Sequence, residues 1–484
     1  MSEASSEWIL GELADLRKGD LPTRGGHTLA YVYEAGVAGL DELAARAYAT
    51  FATVNGLDMT AFPSVVRLEN DVVRFVARLL DGDESTRGTF TSGGTESILL
   101  AVKAARDRHL AANTSPRPRM VLPVTAHAAF HKAAHYLGVE AVTLPVNPST
   151  FRPDPEDYAG AIDERTALVV ASAPSYAHGV LDPVAEIADV AREQEVPCHV
   201  DACIGGMYLP YLRRLGESVP PFDLSVPGVT SISVDLHKYG FADKGASVVL
   251  YRDSELRRHQ YFAWAAWPGY PVVNPTVQGS KSAGLLAAAW AVLRRLGDDG
   301  YLELARQTRD ATDAVRQAIQ HGVPGLRVLG RPRASLLAVA PASEQDGVDV
   351  LHVADEMRMR GWYVQPQLSY GGLPANLHLT VTPATLPRVT ELAAALEESV
   401  TAARSLPPIE VDPALAELAA SLRPDELTPA DIEQIFAFVG LGSDGSGGAV
   451  LPTRMAPVLA LLDAMPPKLK ERLLAEFVGR LFTI

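Results

Sequence analysis

The residues Ser231-Ile232-Ser233-Val234-Asp235-Leu236-His237-Lys238-Tyr239-Gly240, continued by Phe241-Ala242-Asp243-Lys244-Gly245, decide how the rest of the chain is read. Val229 to Val234 is a run rich in β-branched residues, and Ser247-Val248-Val249-Leu250-Tyr251 is a second. The pattern predicts two short strands with a polar turn between them. That turn holds two lysines, Lys238 and Lys244. An ammonium is costly to desolvate, so a lysine at the mouth of a buried strand, beside a histidine, is a candidate for chemistry. Burial is expected to depress the pKa of Lys238, leaving a neutral amine able to form a Schiff base with a carbonyl. The competing reading is a solvated loop lysine, and the flanking segments decide between the two.

Upstream, Thr89-Phe90-Thr91-Ser92-Gly93-Gly94-Thr95-Glu96-Ser97 opens a helix expected to reach about Leu110. Small and hydroxyl residues with paired glycines at a helix start aim backbone N–H groups at an anion, which suits a phosphate. The spacing is that of neither a Walker loop nor a dinucleotide fingerprint, so no nucleotide is implied. From there strand and helix alternate: strands at 119–124, 141–146, 167–172 and 197–201, with helices at 128–138 and 184–193. Such alternation predicts a largely parallel sheet covered on both faces, with ligands beyond the carboxyl ends of the strands. His127, Tyr176, Asp201 and Lys238 all fall at such ends. An aspartate there reads as a turn former or as the acid that keeps a pyridinium nitrogen protonated, the condition that makes pyridoxal phosphate an electron sink. His127 reads equally as a core histidine or as a flat ring stacked on a cofactor.

The chain of 484 residues is 47% hydrophobic and 21% charged, which describes a folded globular protein of several domains. Its net charge of −15 argues against nucleic acid or an anionic lipid surface as partner. Cys198 and Cys203 are the only cysteines, giving neither a disulfide framework nor metal-ligand spacing, and a reducing cytoplasm is expected. No signal peptide or membrane span is predicted. The expected divisions are an N-terminal arm at 1–70, with helices around 38–54 and 65–80, and a large domain at 71–285. A smaller C-terminal domain follows at 286–405, then a helical tail at 406–484 interrupted by a flexible glycine run at 442–448. Separate helices are expected at 283–296 and 301–320, and strands near 326–340, 362–365 and 376–382.

Four ordered motifs together carry a resemblance. Thr91 to Ile98, Ala126-His127-Ala128-Ala129-Phe130, His199-Val200-Asp201-Ala202-Cys203-Ile204-Gly205-Gly206 and Ser231 to Gly245 are similar to those of the group II pyridoxal-phosphate decarboxylases, most of all the sphingosine-1-phosphate lyases. The likeness extends through Asn274-Pro275-Thr276, Gly279-Ser280 and Gly361-Trp362, so it spans roughly residues 30–400. It implies an α/β protein of fold type I (aspartate-aminotransferase-like), with a mostly parallel seven-stranded sheet and a smaller α+β domain. It also implies pyridoxal 5'-phosphate as cofactor, no metal, and a homodimer with shared active sites. Carried over by position, Lys238 would bind the cofactor as an imine, Asp201 would pair with its ring nitrogen and His127 would stack on the ring. Gly94, Thr95 and His237 would hold its phosphate, joined by Ser280 from the other subunit. Tyr176 and Lys244 match positions near the reacting substrate, and Tyr33 (or Tyr31) matches a tyrosine supplied across the dimer. Where the lyases usually carry a histidine near the substrate phosphate, this chain has Asp58, which would repel a phosphate. The expectation is therefore a carbon–carbon lyase acting on a small soluble amino acid or amino alcohol. The alternative on the same scaffold is an L-amino-acid decarboxylase, and a third reading is a non-catalytic binding protein that kept the fold. In either enzyme, burial is expected to tune Lys238 and Tyr176 toward neutrality for proton transfer.

Overall fold

Strands that read as near-continuous apolar runs belong in a sheet covered on both faces. The computed structural model builds such a sheet; it describes residues 5–112, 117–412, 417, 419–438, 442–443, 449–450 and 452–482. The strands are β1 (Arg87–Thr91), β2 (Arg119–Pro123), β3 (Glu140–Leu144), β4 (Thr166–Ser172), β5 (Cys198–Asp201), β6 (Val229–Asp235) and β7 (Ser247–Tyr251). They lie in the order β1-β7-β6-β5-β4-β2-β3. The ladder from β3 to β6 is parallel, and β7 runs antiparallel to both β6 and β1. Every residue of β4, β5 and β7 is buried. The fold is therefore the type I arrangement. Helices Gly94–Ala112, Ala128–Leu137 and Val184–Glu193 flank the sheet, and the turns ending β2, β4, β5 and β6 converge at one end of it.

An exposed hairpin, β8 (Phe262–Trp264) and β9 (Val272–Asn274), follows the main sheet. A second, four-stranded sheet has the order β10 (Leu326–Val328), β11 (Leu336–Pro341), β13 (Asn376–Thr380), β12 (Gln365–Gln367), all antiparallel. The strand expected at 362–365 lies two to three residues later. Trp362 and Val364 pack instead into the core beneath this sheet, with Val353, Met357 and Leu396. The two helices expected at 283–296 and 301–320 lie within Gly284–Gly322, parted by a kink where Gly297 takes the non-helical φ 56°, ψ −172°. The N-terminal segment is not a free arm. The Leu29 N–H donates to the Tyr363 carbonyl (2.8 Å) and the Leu29 carbonyl accepts from Thr380 N–H (2.6 Å), so it is laced into the second sheet.

Beyond residue 412, helices Pro429–Phe438, Ala456–Ala464 and Pro467–Leu481 share a small core of Ile432, Phe436, Leu469 and Leu473. Asp355 anchors them by accepting from the N–H groups of Met455 and Ala456, both at 2.9 Å. The flexible run expected at 442–448 lies mostly outside the described residues. Among the described residues no helix is long and apolar enough to cross a membrane, and no cluster of candidate metal ligands occurs.

Candidate active site

A cavity of about 580 Å³ opens where the strand ends converge. Gly94, Thr95, His127, Tyr176, Asp201, His237, Lys238 and Lys244 all line it. At its floor Lys238 Nζ lies 3.0 Å from Asp235 Oδ2, a carboxylate only 2% exposed at the end of β6. Burial works against the charge of Lys238, but Asp235, with smaller contributions from Tyr33, Cys203 and Asp201, outweighs it and the pKa is raised. The neutral amine expected from burial alone is thus corrected: Lys238 is held as an ammonium. Burial likewise opposes charge on Asp235, yet Lys238 and His237 keep its pKa below the ordinary carboxylate value. Its other oxygen, Oδ1, is buried without a hydrogen-bond partner.

The anion cradle forms where β1 ends and the helix Gly94–Ala112 begins. Gly93 takes φ +142°, and a Cβ on Gly94 would meet both Asp235 carboxylate oxygens and Cys203 Sγ at 2.8 Å. Only glycine fits there, which keeps the backbone N–H groups bare. Glu96 braces the cradle, its Oε2 accepting from Ser92 N–H (2.6 Å) and its Oε1 from Val277 N–H (2.8 Å). His237 Nδ1 donates to the Ala246 carbonyl (2.8 Å), which fixes its ring at the cavity wall. Asp201 Oδ1 accepts from Cys203 N–H (3.0 Å) and approaches Ser233 Oγ (3.5 Å). Beneath Asp201, His199 sits between Ser231 and Ser233 and is driven to a pKa of about 4 by burial.

His127 caps the helix Ala128–Leu137, its Nδ1 accepting from Ala129 N–H at 3.2 Å, and its ring stands open to the cavity. Protein surrounds that ring on several sides, and the resulting desolvation lowers its pKa despite the opening. Lys244 stands 4.7 Å from the Tyr33 ring centroid, and its Nζ donates to the His237 carbonyl at 3.3 Å. Desolvation first, then the neighbouring Lys238 charge, push its pKa down to about 8. Tyr33 packs edge-on to Tyr239 (5.2 Å between rings), and burial raises its hydroxyl pKa to about 12. Within one chain Tyr33 thus lies close to Lys244 and to the charge of Lys238. Tyr176 stacks on His378 (4.2 Å) and donates to Gln365 Oε1 (2.8 Å). Burial raises its pKa, so the expected tuning toward neutrality fails for Tyr176 as for Lys238. Burial takes His378 down to about 3, so it is uncharged.

Ser280 does not join this group within the chain. It lines a neighbouring cavity of about 890 Å³ together with Asp58. The Asp58 carboxylate closes its own turn, Oδ1 accepting from Thr60 N–H, Thr60 Oγ1–H and Ala61 N–H, and these bonds hold its pKa low. Asp235, Glu96, Gln365 and His378 are additions that sequence reasoning missed. Asp235 and Glu96 stand inside the quoted motifs and read as strand and helix residues. Gln365 and His378 come from the second sheet, where no local pattern points to the cavity.

The family described as the pyridoxal-dependent decarboxylase conserved domain matches residues 28–324, more than half of the chain. The chain belongs to this pyridoxal-dependent decarboxylase family. Within the family it is 38% identical to the sphingosine-1-phosphate lyase of Oryza sativa subsp. japonica, over 78% of this chain and 69% of that protein. To the Dictyostelium discoideum sphingosine-1-phosphate lyase it is 40% identical, over 70% of this chain and 61% of that protein. The solved Burkholderia pseudomallei sphingosine-1-phosphate lyase superposes with a TM-score of 0.77 at 38% identity, covering 83% of this chain and 92% of that one. A Lactobacillus brevis glutamate decarboxylase shares the fold alone, with a TM-score of 0.73 at 20% identity. Residues 413–480 match a pyridoxal-dependent enzyme C-terminal putative HTH domain. This decarboxylase-family chain is thus a pyridoxal 5'-phosphate-dependent lyase. The residues present suit that cofactor. Gly94 leaves an open anion cradle, the buried Asp235 Oδ1 is left for a partner, and an amine and an acid stand on the floor of one cavity.

Proposed function

We propose that the enzyme cleaves the carbon–carbon bond next to the amine of a small amino alcohol, after the manner of the sphingosine-1-phosphate lyases it resembles. We further propose that it works as a cytoplasmic homodimer. Lys238 would carry the cofactor, Asp201 would hold its ring nitrogen protonated and His127 would lie against its ring. Gly94, Thr95 and His237 would hold its phosphate. Pyridoxal 5'-phosphate, when bound, draws the electrons of the breaking bond into its ring.

The observation that carries the reading is Lys244. Breaking the bond between the carbons bearing an amine and a hydroxyl requires a base to take the hydroxyl proton, whereas loss of carbon dioxide requires none. A lysine brought to about 8 in the same cavity as Lys238 supplies that base. Lys238, held charged by Asp235, has a proton to give back to the carbon that keeps the amine. Tyr33, over which Lys244 stands, orients that amine. The cavity's cations are lysines, with no arginine among the described lining residues. Asp58 stands where the lyases usually carry a histidine near the substrate phosphate, so a phosphorylated substrate is disfavoured.

The test is to incubate purified, cofactor-loaded enzyme with a panel of amino alcohols and amino acids and to analyse the products by mass spectrometry. An aldehyde from an amino alcohol is expected. Carbon dioxide from an amino acid, with no aldehyde from any amino alcohol, would make it a decarboxylase and overturn the proposal.

A further inference from the structure

A cavity of about 800 Å³ is lined by residues of the helices Pro63–Leu79, Leu209–Arg214 and Gly284–Gly322, and it shares no lining residue with the active-site cavity. Residues at i, i+3, i+4 and i+7 fall on one face of a helix. Asp71, Arg74, Phe75 and Arg78 form such a face on the first helix, and Trp290, Leu293, Arg294 and Gly297 form one on the third. Arg213 and Arg214, which end the second helix, line the same cavity.

The charges around it do not cancel. Five arginines stand against three aspartates, Asp71, Asp81 and Asp298. Arg74 pairs with Asp71 (3.0 Å), Arg214 with Asp298 (3.1 Å), and Arg213 with Asp81 (3.6 Å) and with Asp223 (3.0 Å). Asp71 is further occupied by the Trp290 indole N–H, and Asp298 by the Tyr211 hydroxyl, each at 3.2 Å. Arg78 and Arg294 are left without an ion pair among the described residues. Arg294 lies instead over the Trp290 ring, 5.3 Å from its centroid. Both arginines are exposed, so a dissolved ligand reaches them.

Like charges beside one cavity repel, and an anion between them removes that cost. The active-site cavity carries lysines, whereas the guanidinium forks here match the oxygens of a phosphate, and two uncompensated ones suit a double negative charge. Phe75, Leu79, Leu293 and Trp290 add an apolar wall that a bare inorganic anion would leave uncovered. The net charge of −15 repels large polyanions, which makes the ligand a small molecule.

We propose that this cavity binds a small organic phosphate, an apolar body carrying one doubly charged group, through Arg78 and Arg294. The site is separate from catalysis and independent of which bond the enzyme cleaves.

Calorimetric titration of the cofactor-loaded enzyme in phosphate-free buffer, with phenyl phosphate, inorganic phosphate and benzyl alcohol, separates charge from apolar contact. Phenyl phosphate should bind at one site per chain, at least about tenfold tighter than either of the others. The double substitution Arg78→Gln with Arg294→Gln should weaken it at least about tenfold, and either one alone at least about threefold, as loss of charge-assisted hydrogen bonds requires. The visible band and melting temperature of these variants should match the parent, because both side chains are exposed and neither touches the active site. Undiminished affinity in the double variant would put phenyl phosphate elsewhere and overturn the proposal. Equal affinity for inorganic phosphate, or no binding of phenyl phosphate to the parent enzyme, would also overturn it.

Discussion

Lys238 and Lys244 stand six residues apart and face one cavity, yet their surroundings push them in opposite directions. Asp235 holds Lys238 charged, whereas for Lys244 desolvation and the like charge of Lys238 outweigh the smaller pull of Asp235. With its pKa lowered to about 8, Lys244 is mainly ammonium at pH 7 and becomes the neutral base as pH rises. The kcat/KM of the loaded enzyme should therefore climb through about pH 8 and level off above it. Lys244→Arg, which cannot lose its proton, should remove that limb and cost about 100-fold or more at pH 8. A pH–rate profile of the two proteins checks this. A second prediction concerns Gly94, where a Cβ would press on Asp235 and Cys203 at 2.8 Å. Gly94→Ala should destabilise the fold by about 1–3 kcal/mol, the usual cost of overpacking. It should also weaken cofactor retention at least tenfold, as read by thermal unfolding and by absorbance after dialysis. Lys238, Asp201 and His127 could be singled out in the sequence because Asp201 ends a strand and the other two follow within four residues of one, in a sheet whose topology alone brings such positions together. The protonation of Lys238 was not legible, since it depends on Asp235 lying beside it rather than on burial.

Among the elements, alternating apolar runs and turns located β2 to β7 and the helices Ala128–Leu137 and Val184–Glu193 to within a few residues, but not the short helices Pro155–Ala161 and Leu209–Arg214. The sheet order β1-β7-β6-β5-β4-β2-β3 is a long-range property that no local pattern contains. The break expected between the helices at 283–296 and 301–320 falls at Gly297, and Tyr301 beyond it is anchored by its hydroxyl to the Gly240 carbonyl (2.7 Å). Gly297 occupies a region of φ/ψ open essentially only to glycine, although there is open space where a Cβ would point. Gly297→Ala should then cost about 1–3 kcal/mol from backbone strain alone. Gly479→Ala, in an exposed helix with equal room, should stabilise by up to about 1 kcal/mol. Denaturant unfolding of both variants tests the contrast.

For the molecule as a whole, the hairpin of β8 and β9 presents Phe262, Trp264 and Val273, each more than half exposed, beside the segment that carries Ser280. If a second copy covers this surface, sedimentation should give about twice the chain mass of 51.7 kDa. Trp264→Asp should shift the protein toward the single chain and release cofactor with it. The tail carries six Lys or Arg against nine Asp or Glu over 413–480, a balance that offers no attraction to a nucleic-acid backbone. Its observed attachments are to the chain itself, through Asp355 and through Asp463, which accepts from Ser369 just beyond β12. The bridge made by Glu96 has a wider bearing. One carboxylate grips both the loop that receives the anion and the bend at Val277 leading to Ser280, so neither can loosen without disturbing the other. In a paired assembly, a vacancy on one side would thereby be felt on the other, and filling the first seat would stiffen the second before its occupant arrives.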